Sequence, residues 1–170
     1  TYGDWSSDVC SSDLTGWLLA DLGAEVIRIE SRTHPDFLRR VTVEPDTPNR
    51  SWMFNDANRG QRSVCLDLTR PRGRQLALAL CAASDVVLEN HRGGVAQALG
   101  LDDAGIRALR RDVVTLSSQG YGRGGPLDRA PAYGPLVAAF TGVGRMANHA
   151  DAPYPAGNSL NHPDHVASKL

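Results

Sequence analysis

The chain has 170 residues, of which 41% are hydrophobic and 22% are charged. These values are typical of one soluble globular domain with a real core, and they exclude a disordered chain and a small disulfide-stapled scaffold. The formal net charge of -1 gives no overall attraction to nucleic acid or to an anionic membrane, so any anionic ligand must be held by local arginines.

The first elements are predicted after an atypical start. Residues 1–14 are polar and serine-rich, without the period of a helix or a strand, and differ from everything that follows. From Thr15 the pattern predicts the end of a helix that Gly23 terminates, then a buried strand over 24–30 and a long loop over 31–58.

The later elements continue an alternation of strands and helices. Pro71 stands where the first turn of a helix tolerates proline, and apolar residues recur after it at helical spacing. The predicted elements are a strand over 62–68, a helix over 71–84, a strand over 85–90, short helices over 94–101 and 103–110, and a strand over 112–120. The alternation predicts an α/β fold, with an open, mostly parallel sheet flanked by helices.

Compartment is predicted from cysteines and from the N-terminus. The three cysteines, Cys10, Cys65 and Cys81, lack the paired spacing of a zinc site or a disulfide framework, which favours a reducing compartment. The N-terminus has neither the basic start nor the apolar run of a secretion signal, and no stretch approaches the length of a membrane span. We therefore predict a cytoplasmic protein.

Two segments follow predicted strands, where α/β proteins bind ligands. "SSQGYGRGGP" (117–126) is rich in glycines, which let backbone N–H groups approach an anion or a developing oxyanion, and Tyr121 can stack or donate a hydrogen bond. "LENHRGG" (88–94) places Asn90, His91 and Arg92 at a strand end. A plain surface turn and a solvated loop with a helix-capping asparagine remain open alternatives for the two segments.

The segment "NHPDHVASKL" (161–170) places Asp164 between two histidines. His162 and His165 have the spacing of one helical face, but Pro163 disfavours a helix that runs through, and no third metal ligand is near in sequence. Asp164 is also an ordinary N-cap for a helix beginning at His165. Residue chemistry alone leaves the role of Asp164 open.

Four blocks resemble a known family when they are taken in order. They are "LLADLGAEVIRIE", "NRGQRSVCLDLTRPRGRQLALAL", "SDVVLENHRGGVAQALGL" and "VVTLSSQGYGRGGP", and together they are similar to the class III CoA-transferases. This family includes formyl-CoA transferase, the carnitine and bile-acid CoA-transferases and α-methylacyl-CoA racemase. The resemblance implies a Rossmann-like large domain, of which residues 15–170 would be a truncated N-terminal part, and a homodimer of interlocked chains for the full-length protein.

The resemblance also implies a reaction. An aspartate after the glycine-rich block attacks the acyl-CoA thioester in the family's transferases, and Asp164 stands in that place. A carboxylate nucleophile would form a mixed anhydride and release coenzyme A thiolate. The implied partners are an acyl-CoA and a carboxylic acid acceptor, with coenzyme A a substrate rather than a tightly bound cofactor, and with no metal, nucleic acid or membrane.

Positions that match the family's coenzyme A contacts are carried over residue by residue. The candidates are Arg32, Leu66, Asp67, Leu68, Thr69, Asn90, His91, Arg92, Gln119, Gly120, Tyr121 and Gly122. Many members have Phe and Pro in "ENFRPG" where this chain has His91 and Gly93, and an arginine common in the family is Ala98 here, so one phosphate contact is expected to be missing.

The resemblance also bears on the first residues and on the rival reaction. The family has a strand and an active-site loop where this chain has "SSDVCSSDL", which favours a foreign origin for residues 1–14, such as a translated sequencing adapter joined to a truncated reading frame.

Racemases of the family carry a "GHD" block with a histidine base, whereas this chain has Tyr133 and Gly134 there, which favours transfer. An α-methylacyl-CoA racemase and an inactive CoA-binding fragment remain the alternatives.

Overall fold

The structure is a computed structural model that describes residues 11–40, 47–146, 151 and 162–169. The described elements alternate as predicted, which confirms the α/β class. None of the described helices is both long enough and apolar enough to span a bilayer. In chain order the elements are α1 (Ser11–Asp21), β1 (Ile27–Glu30), two 3₁₀ helices (Phe37–Arg39 and Pro48–Arg50), α2 (Trp52–Ala57), β2 (Arg62–Cys65), α3 (Pro71–Ala83), β3 (Val86–Glu89), α4 (Val95–Leu99), α5 (Asp103–Leu109), β4 (Val114–Ser117), α6 (Gly134–Phe140), α7 (Val143–Met146) and α8 (His162–Ala167).

The strands form two parallel pairs. β1 pairs with β2 over all four residues of each strand, and β3 pairs with β4 in the same way, with Glu89 opposite Ser117. Within the described residues these are two separate two-stranded sheets rather than the single sheet expected from the alternation. Parallel pairing still places the carboxyl ends of paired strands at one edge, so the segments after β3 and β4 begin side by side.

One apolar core joins the two pairs. Ala77 of α3, Ile106 of α5 and Val113 are buried together, and Ile29 of β1 and Val87 of β3 pack against them. The buried residues of α3 are Gly73, Ala77 and Cys81, and their spacing of four explains why one side of this helix covers the core, because residues four apart lie on one helical face. The core therefore fixes the positions of both strand pairs.

The strands themselves are less buried than predicted. Ile27, Val86, Val114 and Leu116 are all classed as exposed, at 45%, 42%, 59% and 48% of their accessible surface. The prediction of a buried strand over 24–30 is therefore wrong for the described fold. The physical reason is that each strand of a two-stranded sheet has a neighbour on one side only, so its side chains have fewer cross-strand neighbours than those of a central strand.

The predicted loop over 31–58 contains helical structure. Ser51 is fully buried and its hydroxyl accepts a hydrogen bond from the backbone N–H of Phe54 at the start of α2, while donating to the carbonyl of Leu38. Phe54 and Leu38 form a second buried apolar cluster. Six residues are too few for an isolated helix to be stable, so α2 depends on these tertiary contacts.

Helix α1 includes residues that the sequence placed in the irregular leader. Residues 11–14 are helical, so the expectation that residues 1–14 lack a helical pattern is wrong from Ser11 onward. Asp13 of this helix forms a buried ion pair with Arg28 of β1, which also pairs with Asp36 and donates to Asn58. Burial raises the pKa of Asp13 to about 7, although Arg28 opposes the shift.

Candidate functional site

The two predicted strand-end segments meet in the structure. Asn90–Arg92 follows β3, Gln119–Gly122 follows β4, and the Gln119 side-chain amide donates to the carbonyl of His91 at 2.8 Å. The Oε1 atom of Gln119 is buried and accepts from no donor among the described residues. A ligand amide or hydroxyl would satisfy this acceptor, because a buried amide oxygen without a donor is costly.

The glycine-rich segment is packed against helix α6. A Cβ added at Gly120 would lie 2.2 Å from the Cβ of Ala132, and the ring of Tyr121 contacts Phe140 of α6 edge-on, with 5.2 Å between ring centroids. Gly122 has φ +72°, a conformation that glycine adopts without strain. The segment is therefore a largely exposed turn that contacts α6 through Gly120 and Tyr121, and its shape depends on its glycines.

We expect Gly120→Ala to lower the free energy of unfolding by about 1–3 kcal/mol, because overpacking at a close contact has this cost. The added methyl group would press on Ala132 and lie 3.2 Å from Val137 Cγ2, so the turn must move away from α6. Urea denaturation of the 170-residue chain measures the change.

Gly125→Ala is the matched control, because a Cβ there has no heavy atom within 4 Å. Its expected effect is within about 0.5 kcal/mol. Adding Ala132→Gly to Gly120→Ala should restore most of the stability, since it removes the atom that the new methyl group meets. Equal stability for the Gly120 and Gly125 variants would show that the turn is not packed in this way.

Two charged residues that were not among the predicted site residues connect the segments. The carboxylate of Glu89 accepts from the backbone N–H of His91 at 2.8 Å through Oε2, and its Oε1 pairs with the guanidinium of Arg123, which also donates to Ser117. Burial acts to raise the pKa of Glu89, but hydrogen bonds from His91 and Ser117 outweigh it and leave that pKa below its ordinary value. A strand-end glutamate and a loop arginine were visible in sequence, but their pairing was not.

A cleft of about 340 Å³ opens beside this pair. Its lining combines apolar side chains, such as those of Leu101 and Ile106, with polar and charged ones. The residues that line it include Glu89, Leu101, Asp103, Ile106, Gln119 and Arg123.

Gly93 explains one departure from the family pattern. Its backbone N–H donates to the carbonyl of Asp128 at 2.8 Å, and an added Cβ would lie 2.7 Å from that oxygen. The proline that the resemblance leads us to expect at this position would have no N–H and would carry a Cβ. In this chain, glycine therefore lets the segment after β3 attach to the turn at Asp128.

The candidates Leu66–Thr69 lie at the end of the other strand pair. Leu66 and Leu68 pack against the core, so their side chains face inward. Asp67 Oδ1 accepts from the Thr69 hydroxyl at 2.6 Å and from its backbone N–H at 3.0 Å, and these bonds lower the pKa of Asp67. The Asp67 carboxylate is thus committed to the turn, which leaves backbone groups and Thr69 as the accessible parts.

Arg32 lies on the surface close to the same strand pair. It is exposed and follows the last residue of β1, Glu30, by two positions. A long exposed guanidinium at a strand end is placed where it can reach an anion, and nothing in its placement selects a particular one.

Asp164 lies in the first turn of α8. The helix begins at His162 and continues through Pro163, so the expectation that Pro163 disfavours such a helix is wrong, as is a helix beginning at His165. Proline is tolerated in a first turn because the N–H groups there have no partner within the helix. Asp164 is 8% exposed, and α8 contacts both α1 and α6.

Helix α6 links Asp164 to the glycine-rich segment. One part of α6 packs on Gly120 and Tyr121, as described above, and the helix also contacts α8. The Thr15 hydroxyl of α1 donates to the carbonyl of Ser168 at 3.5 Å and so attaches α8 from the other side. As for metal binding, the described residues contain no group of three candidate ligands, and the side chain of His162 lies outside them.

Comparisons with known proteins agree on one family. A family model described as CoA-transferase family III matches residues 7–170. Acetyl-CoA:oxalate CoA-transferase from Acetobacter aceti is 35% identical over 136 residues, which are 80% of this chain and 34% of that protein. Succinate–glutarate CoA-transferase from Agrobacterium fabrum is 33% identical over 149 residues, which are 84% of this chain and 37% of that protein.

Solved structures give the same result. A crystal structure of the Mycobacterium tuberculosis protein Rv3272 matches with a TM-score of 0.82 and 30% identity, over 96% of this chain and 45% of that one. A CAIB/BAIF family protein from Brucella suis matches with a TM-score of 0.81 and 29% identity, over 94% and 42% of the two chains. This chain therefore spans between a third and a half of the length of these relatives.

Proposed function

Since the chain belongs to CoA-transferase family III, we propose that it provides the CoA-binding edge and the nucleophile of an acyl-CoA:carboxylate CoA-transferase. The observation that carries this proposal is the contact between the strand-end segments at Gln119 and His91, together with helix α6, which connects the glycine-rich turn to the helix of Asp164. The segments after β3 and β4 would hold the coenzyme A part of the substrate, and Asp164 would attack the thioester carbonyl of the acyl-CoA.

The proposed reaction consists of four acyl-transfer steps through the Asp164 carboxylate, each of which is reversible. Attack of the Asp164 carboxylate on the acyl-CoA carbonyl forms a mixed anhydride and releases the coenzyme A thiolate. The thiolate then attacks the aspartyl carbonyl, which releases the donor acid and leaves an aspartyl thioester. The acceptor carboxylate displaces the thiolate to form a second anhydride, and attack of the thiolate on the acceptor carbonyl yields the new acyl-CoA and free Asp164.

Two features of this chain support a carboxylate nucleophile. Asp164 is in the first turn of a helix, where the partial positive charge of the backbone stabilises an anion. Backbone N–H groups of the glycine-rich turn would stabilise the oxyanion formed at each attack. By the resemblance to the family, the "GHD" block of its racemases would correspond to the segment with Tyr133, the N-cap residue of α6, and Gly134, which would leave this chain without that histidine base.

We expect the full-length protein to convert acetyl-CoA and a free dicarboxylic acid into acetate and the new CoA thioester. Oxalate, succinate and glutarate are the first acceptors to test, because relatives with similar sequences are named for them. Chromatography of the CoA esters measures the exchange. If the α-proton of 2-methylacyl-CoA is replaced by deuterium in deuterated water and no CoA is transferred to the acceptor acid, the protein is a racemase. Binding of CoA with neither reaction would indicate a binding module.

A further inference from the structure

We propose that Glu89 is a positioning residue for coenzyme A binding, acting through Arg123 to fix the segment after β3 relative to the segment after β4. This inference rests on the proposed function, because it names a residue that prepares the same site. Glu89 is the last residue of β3, one position before Asn90, and Arg123 follows Gly122 directly. Each residue therefore adjoins one of the two segments expected to contact CoA.

The geometry divides the carboxylate between two partners. Oε2 accepts from the backbone N–H of His91 and lies 3.3 Å from its Nδ1, while Oε1 pairs with Arg123. The guanidinium of Arg123 also donates to Ser117, the last residue of β4. One buried carboxylate thus connects the backbone of the first segment to the side chain at the end of the second.

Burial makes this connection stronger than an ordinary surface pair. The Glu89 side chain is 11% exposed, whereas that of Arg123 is 39% exposed. A charge that is largely removed from water holds its partners more firmly, because the alternative is an unpaired buried carboxylate. We call the set of Glu89, Arg123, Ser117 and the backbone N–H of His91 the strand-end clamp.

The clamp also controls charge at the site. A carboxylate beside an anionic ligand repels it unless a cation is paired with that carboxylate. In this chain Arg123 pairs with Glu89, which reduces the repulsion between this carboxylate and the phosphates of coenzyme A, and the other carboxylate that lines the cleft, Asp103, is paired with Arg107. Because a preorganised site does not have to be ordered on binding, loss of the clamp should weaken affinity rather than abolish the fold.

The experiment compares equilibrium binding of free coenzyme A by calorimetry with urea denaturation of the same proteins. We expect Glu89→Gln and Arg123→Gln each to raise the dissociation constant by about tenfold, a typical value for lost preorganisation. The double variant should be no weaker than Arg123→Gln alone, since both substitutions break the same connection. Arg123→Lys, which keeps the charge, should recover part of the affinity.

Arg110→Gln is the matched control. Arg110 pairs with Asp85 at 2.8 Å and with Asp112 at 2.9 Å, so it connects the amino-terminal ends of β3 and β4 as the clamp connects the opposite ends. Arg110→Gln should shift the denaturation midpoint slightly, because the ion pairs that it breaks are partly exposed. Its dissociation constant for coenzyme A should stay within about twofold of the wild-type value. If Glu89 had a purely structural role, Glu89→Gln and Arg110→Gln would each lose affinity for coenzyme A in proportion to their loss of free energy of unfolding.

Three results would overturn the inference. Wild-type affinity in Glu89→Gln would show that the clamp does not position the site, and tighter binding in Glu89→Gln would show that Glu89 competes with coenzyme A for Arg123. Equal loss of affinity in Arg110→Gln would show a general effect of strand pairing. In each of these cases the wild-type chain binds coenzyme A and the proposed function stands, whereas absence of binding by the wild type contradicts both proposals.

Discussion

Replacing Asp164 with asparagine is expected to lower CoA transfer by the full-length protein by at least about 10³-fold, the scale seen when a nucleophile is removed from a covalent enzyme. Asparagine has nearly the size and shape of aspartate, but it replaces one carboxylate oxygen with an NH₂ group, and its neutral amide cannot attack a thioester. The dissociation constant for coenzyme A should change by less than about threefold, because the proposed binding segments lie on other elements. Rates of CoA ester exchange and calorimetric binding measure the two effects.

The alternative is that Asp164 only stabilises α8. A carboxylate in a first turn contributes about 0.3–1 kcal/mol, so Asp164→Asn would then lower the denaturation midpoint slightly and leave the turnover rate nearly unchanged. Asp56→Asn, at an exposed position of α2, is the control for the substitution itself. Transfer at the wild-type rate in Asp164→Asn would remove Asp164 from the role of nucleophile.

A covalent test separates the two roles further. Incubation of the wild-type protein with acyl-CoA and hydroxylamine should convert Asp164 to a hydroxamate, because hydroxylamine attacks the activated aspartyl carbonyl of the anhydride or thioester. Peptide mass spectrometry locates the modified residue. The absence of modification in the presence of turnover would show that the acyl group is not transferred through this carboxylate.

Arg28→Met is expected to give the largest loss of stability, about 3–5 kcal/mol, because it leaves two buried carboxylates without their shared cation. The Asp13 and Asp36 side chains are 5% and 2% exposed. Arg28 also lies over the ring of Phe54, 5.4 Å from its centroid, and methionine retains part of this packing. Urea denaturation at pH 8 measures the change against wild type.

The loss should depend on pH in a defined direction. Without Arg28, the pKa of each carboxyl group in the folded state rises further above its unfolded value, so protonation relieves the buried charge at low pH. The difference in stability between variant and wild type should therefore be smaller at pH 5 than at pH 8. A difference that grows toward low pH would contradict this account.

Two further variants keep the prediction testable if Arg28→Met does not fold. Adding Asp13→Asn and Asp36→Asn removes both buried charges and should restore most of the stability. Arg62→Met, which breaks the exposed Arg62–Glu25 pair on the neighbouring strand, should cost less than about 1 kcal/mol. Similar losses for Arg28→Met and Arg62→Met would show that the buried pair carries no special weight.

Elements with strong local signals could be predicted from sequence. Helix α3 was expected over 71–84 and is found over Pro71–Ala83, since its apolar period and its proline are local features. Gly23 ends the first helix region with φ +97°, as a residue without a side chain can. The ends of parallel strands meet at one edge, which is why "ENHR" and "SSQGYGRGG" could be selected together.

Elements that depend on contacts with residues far away in the chain could not be predicted from the sequence. Helix α2 requires the hydroxyl of Ser51 to reach the carbonyl of Leu38, and α8 begins before Pro163 in contact with α1 and α6. Glu89 and Arg123 are far apart in sequence, so no local pattern indicated their pairing. The pairing of Asp13 with Arg28 could not be predicted either, because the serine-rich segment around Asp13 has no pattern that indicates it.

The α/β class, the family and the choice of strand ends as the candidate binding edge could be inferred from the order of residues alone, because periodicity and ordered motifs are properties of neighbouring residues. The folded chain was needed to show which charges are buried together, how the glycine-rich turn packs on α6, and that α6 connects this turn to the helix of Asp164. These depend on contacts between residues distant in the chain, whose energies arise from burial and pairing after the elements have come together.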